Sequence, residues 1–308
     1  MLIHRQSLEK LSLRLSEYIP SQRLLKDEPM SRHTTFRIGG PADLVLLPAS
    51  SDEIVRAMDD CAELGIPVFV MGNGSNLLVR DGGIRGLVII IGEAMSRIKT
   101  TGAVMSVQAG AALTRLSREA QAHGLDGLAF ASGIPGTVGG AVAMNAGAYG
   151  GQISDVLQRA LVITDRTVRW FDASQLNLGY RSSLILSQGM TVVEAEFALK
   201  PGDPAQILSQ MNDLAVRRRE KQPLSLPSAG STFKRPEGYF AGALIEGAGL
   251  KGCRVGGAEV SQLHAGFIVN RGGATARDVL SLIEHIRQTV YQKDGVLLEP
   301  ELRILGED

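Results

Sequence analysis

Apolar residues recur at helical spacing in five stretches of the chain, and each stretch predicts an amphipathic helix. These stretches are residues 8–19, 51–65, 113–123, 204–221 and 275–293. The second has acidic residues in its first turn and ends at Gly65, whereas the fourth opens with Pro204 and closes with a run of cations. Both patterns are the usual signals for where a helix starts and stops.

Other stretches follow the two-residue period of β-strands. Short apolar runs predict strands at residues 68–70, 77–79, 87–91 and about 104–109. Residues 193–199 alternate apolar and acidic side chains, as a half-buried strand does, and residues 297–305 alternate in the same way. The glycine-rich residues 129–151 are predicted as a loop, so the whole pattern indicates an α+β fold.

The 308 residues exceed what one hydrophobic core commonly serves. We therefore predict an N-terminal helical segment at residues 1–30 and two lobes at residues 31–200 and 201–308. Lys plus Arg and Asp plus Glu each number 32, so no basic excess favours nucleic acid or an anionic membrane. Two cysteines and five histidines without ligand spacing predict no disulfide framework and no metal site. The absence of a signal-like or spanning segment predicts a cytoplasmic protein, which we expect to be monomeric.

Glycine is enriched, at 36 of 308 residues, and it clusters in two loops. The first loop is residues 72–76 (GNGSN), directly after a predicted strand, and the second is residues 132–150 (SGIPGTVGGAVAMNAGAYG). Glycine lets backbone N–H groups approach a pyrophosphate closely. Neither loop matches a Rossmann or P-loop fingerprint, and by spacing alone a glycine loop is more often a tight turn than a nucleotide site. Two long glycine loops in one lobe bring these two interpretations nearer to even.

Six motifs recur along the chain in an order that resembles the UDP-N-acetylenolpyruvoylglucosamine reductase family. They are RHTTFRIGGPA (32–42), GNGSNLLV (72–79), SGIPGTVGGAVAMNAGAYG (132–150), YRSS (180–183), GSTFKRP (230–236) and PELRILG (300–306). The resemblance implies an FAD-binding lobe of the vanillyl-alcohol-oxidase type and a C-terminal α+β substrate-binding lobe. It also implies non-covalent FAD, with NADPH as the co-substrate that reduces it.

The resemblance assigns the two glycine loops to the cofactor. The residues that would bind FAD are Arg37, Gly72, Asn73, Gly74, Ser75, Asn76, Ser132, Gly133, Gly136, Thr137, Gly140, Asn145 and Gly147. The implied reaction is hydride transfer to the β-carbon of an enol ether, which turns UDP-N-acetylglucosamine enolpyruvate into UDP-N-acetylmuramate for peptidoglycan synthesis. Negative charge builds at the α-carbon, so the site needs a cation and a proton donor.

Three residues match the family's catalytic positions. Arg181 would grip the substrate carboxylate with its planar fork, and Ser231 would donate the proton, with Thr232 as the competing hydroxyl. Glu301 is preferred to Glu299 because it stands just before the Leu-Arg pair, and facing an anion it would assist only in its protonated form.

The diphosphate and the lid of the site involve five further residues. Lys221 matches a substrate lysine of the family, and Arg217 and Arg235 are expected to assist it. No tyrosine lies between Arg181 and Ser231, so the chain resembles the shorter form of the family that lacks a tyrosine loop. Tyr149 and Tyr239 are the candidate substitutes.

Two rival hypotheses share the glycine loops. The chain could be another FAD-dependent oxidoreductase of the same fold that acts on a sugar or an alcohol. Alternatively, it could be a module that binds flavin or a nucleotide sugar without turnover. Only the reductase hypothesis also explains the motifs around residues 181, 231 and 301.

Overall fold

The computed structural model describes residues 2–308, and side chains from residue 6 onward. Eight α-helices lie within this range. They are α1 Leu2–Ser16, α2 Ser51–Leu64, α3 Leu113–Ala122, α4 Val138–Ala143, α5 Leu184–Ser187, α6 Pro204–Lys221, α7 Ala241–Gly247 and α8 Ala276–Asp294. All five predicted helices are confirmed.

The strands of the described chain are short and numerous. They are β1 Leu24–Pro29, β2 Pro41–Leu46, β3 Val68–Met71, β4 Leu77–Val79, β5 Ile84–Ile90, β6 Ile98–Thr101, β7 Val104–Gln108, β8 Leu125–Asp126, β9 Gly147–Ala148, β10 Gly151–Gln152, β11 Leu157–Thr164, β12 Thr167–Asp172, β13 Thr191–Ala198, β14 Lys200–Pro201, β15 Arg254–Val255, β16 Ala258–Val260, β17 Ile268–Asn270 and β18 Arg303–Leu305. The predicted strands near residues 68, 77, 87, 104 and 193 are confirmed.

Capping explains where the confirmed helices begin and end. The Ser50 hydroxyl accepts a hydrogen bond from Glu53 N at 3.2 Å, and Gly65 closes α2 in the left-handed conformation with φ +64°. At α8, Thr275 and Asp278 form a reciprocal capping box, and Gly295 is the left-handed terminus. Such interactions act within a few residues of a helix end, which is why the bounds of these helices could be predicted from the sequence.

Two predicted elements are wrong in detail. Residues 129–151 are not all loop, because α4 and the short strands β9 and β10 lie inside them. The predicted strand at residues 297–305 is broken near Pro300, and only Arg303–Leu305 is strand. Residues 299–301 instead pair antiparallel with residues 232–234, while β18 pairs in parallel with β4. Proline has no N–H to donate, which limits the regular pairing there.

The chain forms two compact units, each built from separate segments. Among the described residues, unit 1 contains 2–26, 44–73 and 86–217, and unit 2 contains 27–43, 74–85 and 218–308. The predicted lobes were continuous, with a boundary at residue 201, so the compact units differ from them. Helix α6 belongs to unit 1 up to Arg217, because Ile207 and Met211 pack on Ala129.

Unit 1 contains an antiparallel five-stranded sheet in the order β12-β11-β13-β7-β6. Its core includes the buried side chains of α2, α3, β7 and β13, with Phe197 and Met105 fully buried. Leu11, Leu15 and Ile19 are buried in the same core, as the N-terminal pattern predicted. Burial of this apolar face is what holds the amphipathic helices in place.

Unit 2 has its own core. The buried face of α8, which includes Val279, Leu282 and Ile286, lies in one apolar cluster with Phe36 and Leu302. Strands β15, β16 and β17 form an antiparallel sheet, and β4 pairs with β18. No helix within residues 2–308 is long and apolar enough to cross a membrane.

Candidate active site

The first glycine loop leaves β3 at a point where no side chain fits. A β-carbon added to Gly72 would lie 2.1 Å from Thr137 Oγ1, so only glycine allows this approach to the second loop. Thr137 is itself buried, and its hydroxyl caps α4 by accepting a hydrogen bond from Gly140 N at 3.5 Å. The two glycine-rich segments therefore meet at Thr137 within unit 1.

The second glycine loop is fastened by its backbone to the connection after β7. Val138 N donates to Ala111 O and Gly139 N donates to Ala109 O, both at 2.8 Å. A β-carbon at Gly139 would lie 2.8 Å from the Ala109 β-carbon, which shows how closely the two segments pack. Gly140 differs, because it is exposed and a β-carbon there would meet only Thr137 Oγ1, at 3.6 Å.

This arrangement fits the pyrophosphate of a dinucleotide. The backbone at Gly140 is exposed and carries no side chain that would block a phosphate, while the N–H groups of residues 138–140 bond within the protein. Ser132, Gly133 and Gly136 are partly exposed in the same loop. Backbone N–H groups in such a loop can hold phosphate charge without a lysine.

The remainder of the first glycine loop belongs to unit 2. Gly74 is buried with φ +59°, and its carbonyl accepts a hydrogen bond from Thr35 N at 3.4 Å. The Asn76 side chain donates to Glu301 O at 3.2 Å, and Asn76 O accepts from Arg303 N at 2.9 Å. Asn76 thus anchors the segment that carries Glu301. Asn73 and Ser75 are at least partly exposed.

Arg37 lies in an ordered turn of unit 2. Its backbone is left-handed, with φ +56°, and its side chain is exposed. Thr34 Oγ1 donates to Ile38 O at 3.0 Å, and Asn270 Nδ2 donates to Phe36 O at 3.2 Å. These bonds on either side of Arg37 hold the turn in a conformation that arginine seldom adopts.

Arg181 lies at the tip of a tight turn in unit 1. Gly179 N donates to Ser182 O at 3.0 Å and Ser182 N donates to Gly179 O at 3.3 Å, so Tyr180 and Arg181 are the two turn residues. Arg181 has φ +53°, and one of its Nη atoms donates to Gly147 O at 3.2 Å. Its guanidinium also lies 5.2 Å from the Tyr180 ring centroid. The half-buried cation is thereby held beside the second glycine loop.

Ser231 and Glu301 are brought close by backbone pairing in unit 2. Glu301 N donates to Thr232 O at 2.8 Å, and Lys234 N donates to Glu299 O at 2.9 Å. Glu299 also forms an ion pair with Lys234, whereas Glu301 is partly buried. Of the two glutamates, Glu301 is therefore adjacent to the residue that follows Ser231.

The structure separates the two candidate hydroxyls. Ser231 is exposed, whereas Thr232 is 2% exposed and its Oγ1 accepts a hydrogen bond from Ile268 N at 3.1 Å. The Thr232 hydroxyl is thus directed into the protein and the Ser231 hydroxyl is at the surface of unit 2. This difference could not be read from two adjacent hydroxyl residues in a sequence.

His264 supports this segment, a role for which the sequence offered little signal. Gly266 N donates to His264 Nδ1 at 3.0 Å, and Gly266 O accepts from Thr232 N at 2.8 Å. The imidazole therefore accepts at Nδ1 and carries its proton on Nε2 in the neutral form. Burial lowers the pKa of His264 below its usual value.

The residues proposed for the diphosphate are all exposed. Lys221 lies at the end of α6, Arg217 forms an ion pair with Asp213 at 2.8 Å, and the Arg235 guanidinium stacks 4.0 Å from the Phe240 ring centroid. Tyr149 is 48% exposed and has φ +54°. Across the described residues, no group of three or more His, Cys, Asp and Glu side chains is placed to hold a metal ion, and the His4 side chain lies outside that description.

Two family models match different parts of the chain. The model described as FAD binding domain matches residues 42–170, and the model described as UDP-N-acetylenolpyruvoylglucosamine reductase, C-terminal domain, matches residues 222–305. Both glycine loops lie within the first range, and Ser231 and Glu301 lie within the second. Fold and site together define a flavin-binding α+β protein with a separate C-terminal domain.

The chain is similar over nearly its full length to proteins named as reductases. The chain is 52% identical to the UDP-N-acetylenolpyruvoylglucosamine reductase of Alkaliphilus oremlandii over 295 residues, 96% of this chain and 97% of that protein. It is 50% identical to that of Exiguobacterium sibiricum, over 97% of this chain and 99% of the relative. The crystal structure of the Thermus caldophilus reductase matches with a TM-score of 0.81 and 36% identity, over 92% of this chain and 98% of that one.

The chain belongs to the UDP-N-acetylenolpyruvoylglucosamine reductase family. The resemblance found in the sequence is therefore confirmed, as is the α+β fold with an FAD-binding domain and a C-terminal domain.

Proposed function

We propose that this protein reduces UDP-N-acetylglucosamine enolpyruvate to UDP-N-acetylmuramate, with FAD bound non-covalently and NADPH as the electron source. The proposal rests on two observations: unit 1 contains a glycine loop that is open at Gly140, and unit 2 contains the paired segments of Ser231 and Glu301. The near full-length similarity to reductases supports the same substrate. The product is a precursor of peptidoglycan.

The chemistry that bound FAD supplies is transfer of a hydride from NADPH to the β-carbon of the enol ether. Arg181 binds the substrate carboxylate and stabilises the charge that develops at the α-carbon. Its guanidinium suits this role because it offers parallel N–H donors to two carboxylate oxygens. The strained turn at Gly179–Ser182 supports the assignment, since such backbone conformations cluster at functional sites.

Ser231 delivers the proton to the α-carbon. Its exposure in unit 2, beside a Thr232 hydroxyl that is engaged with Ile268 N, supports Ser231 over Thr232. A neutral hydroxyl is a weak acid, but a carbanion-like centre is a strong base, so a hydroxyl held in contact suffices. Glu301 assists from the neighbouring segment, where its backbone N–H is bonded to Thr232 O.

We further propose that FAD binds mainly to residues 31–200 and the UDP-sugar mainly to residues 201–308, with Arg181 and Tyr149 as the exceptions. Lys221, Arg217 and Arg235 contribute cations for the diphosphate, and Tyr149 covers the bound substrate in place of the absent tyrosine loop. The protein acts as a monomer in the cytoplasm. All four side chains are exposed, which supports a role in binding a ligand.

Mass analysis of the product tests this function against its rivals. The protein is incubated with FAD, NADPH and UDP-N-acetylglucosamine enolpyruvate, and we expect one NADPH consumed for each sugar that becomes two hydrogens heavier. An oxidase of the same fold would instead consume oxygen with a sugar or an alcohol and leave the enolpyruvyl ether unchanged. A binding module would retain flavin or sugar without consuming NADPH.

A further inference from the structure

The turn that carries Arg181 is conformationally unfavourable by itself. Arg181 has φ +53° at the third position of the Gly179–Ser182 turn, where glycine or asparagine is the usual residue. The turn closes through two backbone hydrogen bonds, and the one from Ser182 N to Gly179 O is long, at 3.3 Å. A strained conformation of this kind persists only where its surroundings determine it.

Asn145, in the second glycine loop, helps to hold the Arg181 turn in this strained conformation. It is 2% exposed, and its Nδ2 donates to Gly179 O at 3.1 Å, the same carbonyl that closes the Arg181 turn. Nδ2 also lies 3.3 Å from Gln152 Oε1, and Oδ1 accepts a hydrogen bond from Ser154 N at 2.9 Å. The amide is thus fixed at both ends and is directed at the base of the turn.

Neighbouring contacts connect the same two segments. Ser183 Oγ donates to Ala143 O at 2.6 Å, and Arg181 donates to Gly147 O at 3.2 Å. Residues 143–147 therefore hold residues 179–183 at three places, of which Asn145 is the central one. Because its side chain is engaged in these bonds, a direct cofactor contact from Asn145 would fall to its backbone.

We propose that Asn145 is a positioning residue for Arg181: its amide holds the Gly179 carbonyl and so keeps the arginine turn in the conformation that presents the guanidinium. The inference rests on the proposed role of Arg181 in binding the substrate carboxylate. It predicts that loss of the Nδ2 donor impairs the reaction with the enolpyruvyl sugar and spares the reaction with NADPH.

The sharpest variant is Asn145→Asp. It preserves size and the acceptor for Ser154 N, but the ionised carboxylate has no donor for Gly179 O. We expect flavin content and flavin reduction by NADPH to match the wild type, while reoxidation by UDP-N-acetylglucosamine enolpyruvate slows about 10- to 100-fold. Asn145→Ser also removes the amide donor but adds no charge, so we expect a similar loss. It replaces Asn145→Asp if that variant folds poorly.

A pH series distinguishes positioning from a general structural role. A protonated carboxyl can donate to Gly179 O, so reoxidation by Asn145→Asp should recover relative to the wild type as the pH is lowered. The charged groups linked to this network are Asp155, which accepts from Gln152, and Arg181. Gln152→Ala is the matched control, because it removes the other partner of Nδ2 and should stay within about threefold of the wild type.

Binding provides a readout that does not depend on turnover. Calorimetry with UDP-N-acetylmuramate on the oxidised holoenzyme should show weaker binding for Asn145→Asp and Asn145→Ser than for Gln152→Ala. Variants that reoxidise as fast as the wild type, or that lose both half-reactions equally, would overturn the inference alone. A wild type that is reduced by NADPH but is not reoxidised by the enolpyruvyl sugar would overturn the proposed function, and the inference with it.

Discussion

The Arg181 turn in unit 1 and the Ser231–Glu301 segments in unit 2 are held in place by different kinds of interaction. The turn depends on one strained residue and on side-chain hydrogen bonds from Asn145 and Ser183. The other region depends on backbone pairing between residues 232–234 and 299–301, which lie far apart in the sequence. Loss of one side chain can therefore misplace Arg181, whereas the pairing beside Ser231 uses backbone groups that most substitutions leave in place. The side chains of Asn76 and His264 add support there.

The largest expected effect is that of Ser231→Ala. We expect flavin reduction by NADPH to be preserved and reoxidation by the enolpyruvyl sugar to fall about 10²- to 10⁴-fold, the usual contribution of a proton donor. Stopped-flow absorbance of each half-reaction measures this. Ser225→Ala, an exposed serine upstream of the same segment, is the control and should behave as the wild type. Normal reoxidation by Ser231→Ala would mean that another group donates the proton, and it would contradict the assignment of Ser231.

Arg181→Lys should be nearly as damaging. A lysine keeps the charge but loses the planar fork, so we expect reoxidation to slow about 10²- to 10³-fold with a weaker apparent affinity for the sugar. Arg166→Lys is a matched control, because Arg166 also has a positive φ in a turn of unit 1, between β11 and β12. Equal behaviour of the two variants would contradict the assignment of Arg181.

Two glycine substitutions sharpen the comparison on the cofactor side. In Gly72→Ala the new methyl group would meet Thr137 Oγ1, so we expect a loss of about 1–3 kcal/mol in the free energy of unfolding, measured by denaturant titration.

Gly140→Ala has no such clash in the protein, and a helical alanine is favoured over glycine. We expect it to fold normally yet bind FAD about tenfold more weakly, as fluorescence titration would show. Unchanged FAD affinity in Gly140→Ala would contradict a contact between Gly140 and FAD.

The smallest expected effect concerns acid stability. Burial lowers the pKa of His264 in the folded protein, and the unfolded value is about 6.5, so the unfolded state binds more protons as the pH falls. The stabilising contribution of the neutral ring is present above pH ~6.5 and decreases as the pH is lowered through the folded pKa. Thermal melts from pH 8 to 5 should show a steeper decline for the wild type than for His264→Asn. Parallel curves would exclude His264 as a source of acid sensitivity.

The sequence predicted elements that local chemistry determines. The helices with Ser50, Gly65, Thr275 and Gly295 at their ends were placed correctly because capping residues act within a few positions. The glycine loops were also found, since their composition is unusual. Alternation along residues 297–305 predicted one strand, but Pro300 and a change of pairing partner divide it.

Some features of the site depend on contacts between distant residues and gave no local signal. The contact between Asn145 and Gly179 spans 34 residues, and the Thr232 hydroxyl is distinguished from that of Ser231 only by its bond to Ile268 N. The discontinuous compact units likewise follow from segments such as residues 74–85, which pack with the C-terminal part of the chain. Periodicity describes one element at a time, so it cannot report which elements meet.

An anaerobic absorbance trace of the holoenzyme tests the central claim most directly. NADPH is added first, and then UDP-N-acetylglucosamine enolpyruvate. The account predicts that the visible flavin band bleaches with NADPH and returns when the enolpyruvyl sugar is added, with no oxygen present. A band that bleaches but returns only on admission of oxygen would contradict the proposed substrate, and a protein that takes up no flavin would contradict the cofactor site as well.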